Sequence, residues 1–137
     1  MIGQEEMKAQ VRDLWRLCFS ADSEEFVDLY FRMRYTEQIN SAVVEDGKVI
    51  AALQRIPYPM TFAGDVVPTA YISGACTHPD FRGKGVMRSL LAEAHRQMYR
   101  EGVVLSTLIP AEESLRLYYD RSGYALCFQQ DEKLFNR

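Results

Sequence analysis

Several things are scarce in this chain, and each absence excludes a class of protein. Cysteine is sparse: Cys18, Cys76 and Cys127 are odd in number, widely spaced and form no CxxC pair. That excludes a disulfide framework and fits a reduced, cytoplasmic protein. Positive charge is not in excess. The formal net charge is −3 and no basic run stands out, so no nucleic acid is expected as a partner. Long apolar runs are missing too, since the stretch from Val103 to Pro110 is far too short to cross a bilayer. Met1 to Gln10 is polar and partly acidic, unlike a signal segment, and no membrane partner is expected. Repeats and low-complexity tracts are absent. What is present suits one folded domain over residues 1–137. Apolar residues make up 47% and aromatics 12%, enough for a core without disulfide or metal staples.

Periodicity gives the order of elements. Met7, Val11, Leu14, Trp15 and Cys18 recur at helical spacing. Asp22 or Ser23 restarts a second helix whose apolar face is read as Phe26, Leu29, Tyr30 and Met33. Ser41 to Glu45, the turn Asp46-Gly47 and Lys48 to Gln54 read as a hairpin. Pro57 and Pro59 indicate a distorted or edge continuation, and after the turn Ala63-Gly64-Asp65 a strand is expected from Val66 to Thr77. A long amphipathic helix follows from Val86 to Arg100, closed by Gly102. Val103 to Ile109 reads as a buried strand, Pro110 to Ser122 as a helix ended by Gly123, and Tyr124 to Phe135 as a last strand. The order ααβββαβαβ predicts an α/β domain with a mixed central β-sheet flanked by helices.

The segment His78-Pro79-Asp80-Phe81-Arg82-Gly83-Lys84-Gly85-Val86-Met87-Arg88 stands between the expected strand and the long helix. Glycines admit positive φ and close backbone approach. The helix start offers unpaired amides and a partial positive charge, a place for phosphate or pyrophosphate. A Walker loop would need Ser or Thr after Lys84, which Gly85 denies, and a dinucleotide fingerprint would need a third glycine where Arg88 stands. The His-Pro-Asp triplet of J-domains belongs to an all-helical fold, whereas this one follows a strand. A tight turn with solvated charges is the plain alternative.

Arg82-Gly83-Lys84-Gly85 at a helix start resembles motif A of the GNAT superfamily of N-acetyltransferases, Arg/Gln-x-x-Gly-x-Gly/Ala, with Met87 departing at the last position. The wording from Phe81 to Leu91 is similar to the branch of the enhanced intracellular survival acetyltransferases. Leu117-Tyr118-Tyr119-Asp120-Arg121-Ser122-Gly123-Tyr124 resembles the Leu-Tyr-Glu-Lys-x-Gly-Phe segment of the last helix in these domains. Together the two segments cover the chain from about Ser41 to Phe135 with the element order between them.

The resemblance implies acetyl-CoA as acyl donor, with the amides from Gly83 to Arg88 (Gly83, Lys84, Gly85, Val86, Met87, Arg88) and Arg82 at its pyrophosphate. It also implies backbone pairing of Ala75, Cys76 and Thr77 with the pantetheine arm, and Tyr119 as general acid. A phenol near ~10 can protonate a departing thiolate of pKa about 8.5 at a cost of only ~2 kcal/mol. Cys76 reads as a small strand residue rather than a nucleophile. A general base is not assigned, because Ala70 to Thr77 holds no carboxylate; water relayed by Ser73 or Glu112 is the alternative. His95 is expected to face solvent. No metal is expected, and the acceptor amine is unknown.

The usual first and last strands of the family are not apparent. A trimmed domain, a compact variant, or one that takes a strand from a neighbour as in a homodimer all stay open. Two functions follow: an N-acetyltransferase, or a CoA-binding sensor or assembly module that has lost turnover.

Overall fold

The computed structural model describes residues 2–108, 119 and 122–124. Helix α1 (Gln4–Cys18) follows the expected spacing and buries Val11, Leu14 and Trp15. Helix α2 (Glu24–Met33) is capped by Ser23, whose Oγ accepts the Phe26 N–H at 3.1 Å. Its buried face is Val27, Tyr30 and Phe31. This corrects the expected face, since Phe26, Leu29 and Met33 are exposed. Apolar residues occupy much of the circumference of α2, so spacing alone did not choose the stripe. Tyr30 is common to both faces; the observed one is set by Val27 and Phe31, which pack in the core with Trp15 and Val49.

Strands β1 (Asn40–Glu45) and β2 (Lys48–Pro57) form the expected antiparallel hairpin. Asp46 and Gly47 take φ of 52° and 76° at its tip, the conformation that matches strand twist in a two-residue turn. Beyond Pro57, β3 (Met60–Phe62) and β4 (Asp65–Val67) make a separate two-stranded ribbon. The expected single strand from Val66 to Thr77 is therefore divided at Pro68, which has no N–H to offer a ladder. Its second part, β5 (Thr69–Thr77), pairs antiparallel with β2. Helix α3 (Val86–Arg100) leads through Gly102, at φ 81°, to β6 (Leu105–Thr107), parallel to β5 and shorter than the run expected through Ile109.

The result is a mixed sheet in the order β1-β2-β5-β6 with helices on both faces. On one face α1 and α2 pack with Val49, Ala52 and Cys76. On the other, α3 packs Leu90, Leu91, Ala94 and Met98 against Ala51, Leu53, Ala70 and Ile72. The helix expected from Pro110 and the strand expected to Phe135, with Glu112, Tyr118 and Cys127, lie outside the described residues apart from Tyr119 and 122–124. No helix among the described residues is long and apolar enough to cross a membrane.

Candidate functional site

Among the described residues, strands β5 and β6 pair at Thr69, Ala70 and Tyr71, opposite Leu105, Ser106 and Thr107. Beyond Tyr71, among the described residues, β5 continues to Thr77 with β2 on one side and no strand on the other. The His78 N–H bonds the Ile50 carbonyl at 2.7 Å. By strand alternation this turns the amide and carbonyl of Cys76 toward β2 and those of Thr77 toward the open side. The β2–β5 register shifts between Ala52 and Gln54, where Gly74 adds one residue to β5 at φ 64°. A bulge of this kind bends and twists its strand, and it sits where β5 parts from β6.

The turn after β5 is built by short-range bonds. His78 Nδ1 accepts the Asp80 N–H at 3.1 Å, and the His78 carbonyl accepts the Phe81 N–H at 2.9 Å. Gly83 and Gly85 hold φ of 78° and 77° with nothing within 4 Å of where a Cβ would stand. Backbone conformation, not crowding, therefore demands glycine at both. Gly85 caps α3, and the Ser89 N–H makes the first rung to its carbonyl at 3.0 Å. The amides of Val86, Met87 and Arg88 precede that rung and have no partner within the helix. Helices α1 and α2 carry Glu5 and Glu6, and Glu24 and Glu25, in their first turns; α3 has neither an acid there nor a side-chain cap. Its positive end is not neutralised by its own residues, which suits an anion.

The side chains of this turn divide their work. Arg82 Nε donates to the Thr77 carbonyl at 3.0 Å, and its Nη2 lies 3.6 Å from Cys18 Sγ. Arg82 thus ties the turn to the end of β5 and to α1. The Lys84 ammonium lies 5.6 Å from the centre of the Phe81 ring, and Arg88 is exposed on the first turn of α3. Met87, which departs from the small residue of the resembled motif, is buried in the core beneath α3. Bulk at that position is taken up by packing.

Tyr119 is half-buried against the α3-side core, edge-on to Tyr124 with ring centres 6.2 Å apart. Its carbonyl accepts the N–H of Ser122 at 2.9 Å and of Tyr124 at 3.2 Å around Gly123, whose φ is 96°. This is the helix-ending bond pattern that a glycine at C′ allows, as expected at Gly123. His95 is not solvent-facing, which corrects the expectation. Its Nε2 lies 2.9 Å from the Tyr124 hydroxyl, which also contacts Ser106. Burial lowers the His95 pKa, and burial raises that of Tyr124 to about 12 against the Ser106 hydrogen bond.

On the α1–α2 face the Tyr30 hydroxyl is 2.9 Å from Gln54 Oε1 and 3.1 Å from Ser73 Oγ, and Gln54 Nε2 donates to Asn40 at 3.0 Å. Burial lifts Tyr30 to about 12, opposed by the Ser73 hydrogen bond. Ser73, one of the two alternatives for a water relay, is thus part of a structural network with a weakly acidic phenol.

An Acetyltransferase (GNAT) domain family matches residues 2–127. The chain belongs to the GNAT acetyltransferase family. No curated protein matches this GNAT chain in sequence. Among solved structures it is similar to a GCN5-related N-acetyltransferase from Anabaena variabilis, at 24% identity and a TM-score of 0.73, over 86% of this chain and 29% of that one. It is also similar to Eis1 from Mycobacterium abscessus, at 13% identity and a TM-score of 0.72, over 88% of this chain and 28% of that one. AAC(6')-Iy in complex with the bisubstrate analog CoA-S-monomethyl-acetylneamine matches at 16% identity and a TM-score of 0.69, over 93% of this chain and 92% of that one. These likenesses show a shared GNAT fold. The chain spans less than a third of the Anabaena and Eis1 proteins.

Two features of this GNAT domain escaped the sequence reading. Gly74 between Ser73 and Ala75 was a readable bulge signal, since an isolated glycine in a strand often marks one. Cys18 was not readable, because only the fold brings it to Arg82 and Cys76.

Proposed function

We propose that the chain is an N-acetyltransferase that moves the acetyl group of acetyl-CoA to a primary amine. The observation that carries this reading is the opening, among the described residues, between β5 and β6 beside the uncapped, acid-free start of α3. A strand edge there can pair with the amides of a pantetheine arm, while the amides of Gly83 to Arg88 meet a pyrophosphate. The Cys76 backbone faces β2, so the pairing falls to the open side of β5, at Ala75 and the Thr77 N–H, since the Thr77 carbonyl is bonded to Arg82. Family membership supports the donor, and a CoA-bearing analog in a fold relative supports it further. The Phe81 to Leu91 wording keeps the enhanced-survival branch as the reading for descent.

In the reaction the neutral amine attacks the thioester carbonyl carbon, the C–S bond breaks, the thiolate of CoA takes a proton from Tyr119, and the proton shed by the new amide nitrogen passes through solvent to restore the phenol. Holding both reactants side by side removes up to about 7–11 kcal/mol of barrier. Acid assistance adds roughly 10²–10⁴ in rate. The amine proton must leave first, and a lysine-like amine near pKa ~10.4 pays about 4–5 kcal/mol for that at neutral pH. Strand β5 offers no carboxylate, and Ser73 is held by Tyr30. That observation favours a second reading, a CoA-binding sensor or assembly module. Calorimetric titration with acetyl-CoA, followed by thiol-release assays over a panel of amines, separates the two. Acceptor-dependent CoA release establishes the enzyme, tight binding without release the module, and no binding refutes both.

A further inference from the structure

The ends of α1 and β5 meet at two thiols. Cys18 is the last residue of α1, and Cys76 lies one residue from the end of β5. Cys76 is buried in the α1–α2 core, and Cys18 packs against that core while partly exposed. Cys18 thus sits at the rim of the core that holds the Cys76 side chain, against the backbone of the next residue, Thr77. Arg82 reaches over Cys18, with Nη2 3.6 Å from Cys18 Sγ and Nε on the Thr77 carbonyl at 3.0 Å. Cys18 Sγ itself lies 3.4 Å from that carbonyl.

These contacts distinguish the two sulfurs. A neutral Cys18 donates to the Thr77 carbonyl. When Cys18 ionises, Thr77 keeps its bond from Arg82 Nε, and the Cys18 sulfur accepts from Arg82. The neighbouring Cys76 thiol, helped by Arg82 and opposed by burial, holds the Cys18 thiol down to about 6. Cys18 and burial push Cys76 up. An accessible thiol beside a guanidinium therefore neighbours a buried one, the arrangement of an attacking and a resolving cysteine.

We propose that Cys18 and Cys76 are an oxidisable pair, in which a hydroperoxide oxidises Cys18 and Cys76 closes a disulfide. The Cys18 thiolate attacks one peroxide oxygen, the O–O bond breaks, and hydroxide or alkoxide leaves with the bonding pair. Cys18 becomes a sulfenic acid. The sulfur of Cys76 then attacks Cys18, the S–O bond breaks, and the hydroxyl departs as water with the Cys76 proton. Two electrons pass from the thiol pair to the peroxide, and an external dithiol returns them. The bond fastens α1 to the strand that enters the glycine turn and removes the charge facing Arg82 Nη2. The disulfide stands apart from the acetyl-CoA reading and does not need it.

The test is peroxide treatment of the reduced full chain at neutral pH, then digestion without reductant and mass spectrometry. The expected product is an intramolecular Cys18–Cys76 peptide, with Cys127 still alkylatable and dithiothreitol reversing the change. In Cys76→Ser, dimedone should trap a sulfenic acid at Cys18. In Cys18→Ser, thiol loss should slow about tenfold or more, since an ordinary thiol is only a few per cent ionised at neutral pH. A disulfide through Cys127, a covalent dimer on a non-reducing gel, over-oxidation of Cys18 without a disulfide, or unchanged thiols would each overturn the proposal. The wild-type mapping decides even where a variant fails to fold.

Discussion

Replacing Gly74 by alanine tests how the sheet is built beside the open edge. A regular strand would send Ser73 and Cys76 to opposite faces, because side chains alternate. Both nevertheless face α1 and α2, Ser73 on Tyr30 and Cys76 in the core with Trp15. The extra residue at Gly74 absorbs the mismatch. An alanine Cβ there would run into Cζ3 of Trp15 and come within 2.5 Å of Gln54 Oε1. Neither neighbour yields easily. Trp15 is packed among the rings of Phe19, Tyr30 and Phe31 and bonds Asp22 through Nε1 at 2.9 Å, while Gln54 is fully buried and bonded to Tyr30 and Asn40. A left-handed φ costs an L-residue roughly 1–2 kcal/mol, and overpacking a core typically costs ~1–3 kcal/mol. Gly74→Ala should therefore lose about 2–5 kcal/mol, a large share of the ~5–15 kcal/mol that holds a domain together. Urea unfolding followed by Trp15 fluorescence measures the loss. Gly47→Ala is the control, because Gly47 has φ 76° and nothing within 4 Å of its Cβ position. It should lose only the conformational part, about 1–2 kcal/mol. Equal losses for the two variants would refute the packing argument.

Three further outcomes are expected. Tyr119→Phe should lower turnover by roughly 10²–10⁴ while acetyl-CoA titrates as before; an unchanged turnover number would remove Tyr119 from the acid role. Arg55 is buried and donates to Ser41 Oγ at 3.0 Å, Glu101 Oε1 at 2.8 Å and the Gln38 carbonyl at 2.6 Å, linking the sheet to the end of α3. Because Glu101 is partly exposed and water can replace its partner, Arg55→Ala should cost about 2–4 kcal/mol in urea unfolding, less than a fully buried pair, and Glu101→Gln under about 1 kcal/mol. Burial lowers the His95 pKa in the fold, so the unfolded chain binds its proton more readily. Stability from this group is complete above about pH 6.5 and falls as pH drops below it. Thermal scans should show that acid slope in the wild type and a smaller one in His95→Gln; equal slopes would count against it.

The parts of the molecule that were legible in the sequence are those governed by local chemistry. The Asp46-Gly47 hairpin, the helix start at Gly85 and the helix end at Gly123 each follow from φ that glycine alone adopts cheaply, and each stands where it was expected. The division at Pro68 could have been read from a missing donor. By contrast, the face of α2 was not legible, because the apolar residues of that helix offer two plausible stripes. The choice between them depends on Val27 and Phe31 meeting the core of α1 and β2, which lies on other segments of the chain. His95 was misread for the same reason, since Tyr124 reaches it from a distant segment.

The candidate site divides along the same line. The half proposed to meet an anion is a local motif, a glycine turn running into a helix. The other half is an edge made by two strands parting, which no single segment encodes. The bulge at Gly74 lies on the stretch of β5 beyond its pairing with β6, and the Trp15 ring of α1 fills the space a side chain there would need. The same helix ends at Cys18, beside Arg82 and Thr77. Helix α1 therefore braces the open strand at two points, and what changes its packing should be felt along that edge. A substitution at Trp15 that shortens the ring, such as Trp15→Leu, would relieve the crowding that excludes a side chain at position 74. In that background the added cost of Gly74→Ala should shrink by the Trp15 share of the overpacking, leaving the Gln54 Oε1 contact and the roughly 1–2 kcal/mol of conformation. A double-mutant cycle in urea reads this coupling, and strict additivity would show that Trp15 does not brace the bulge.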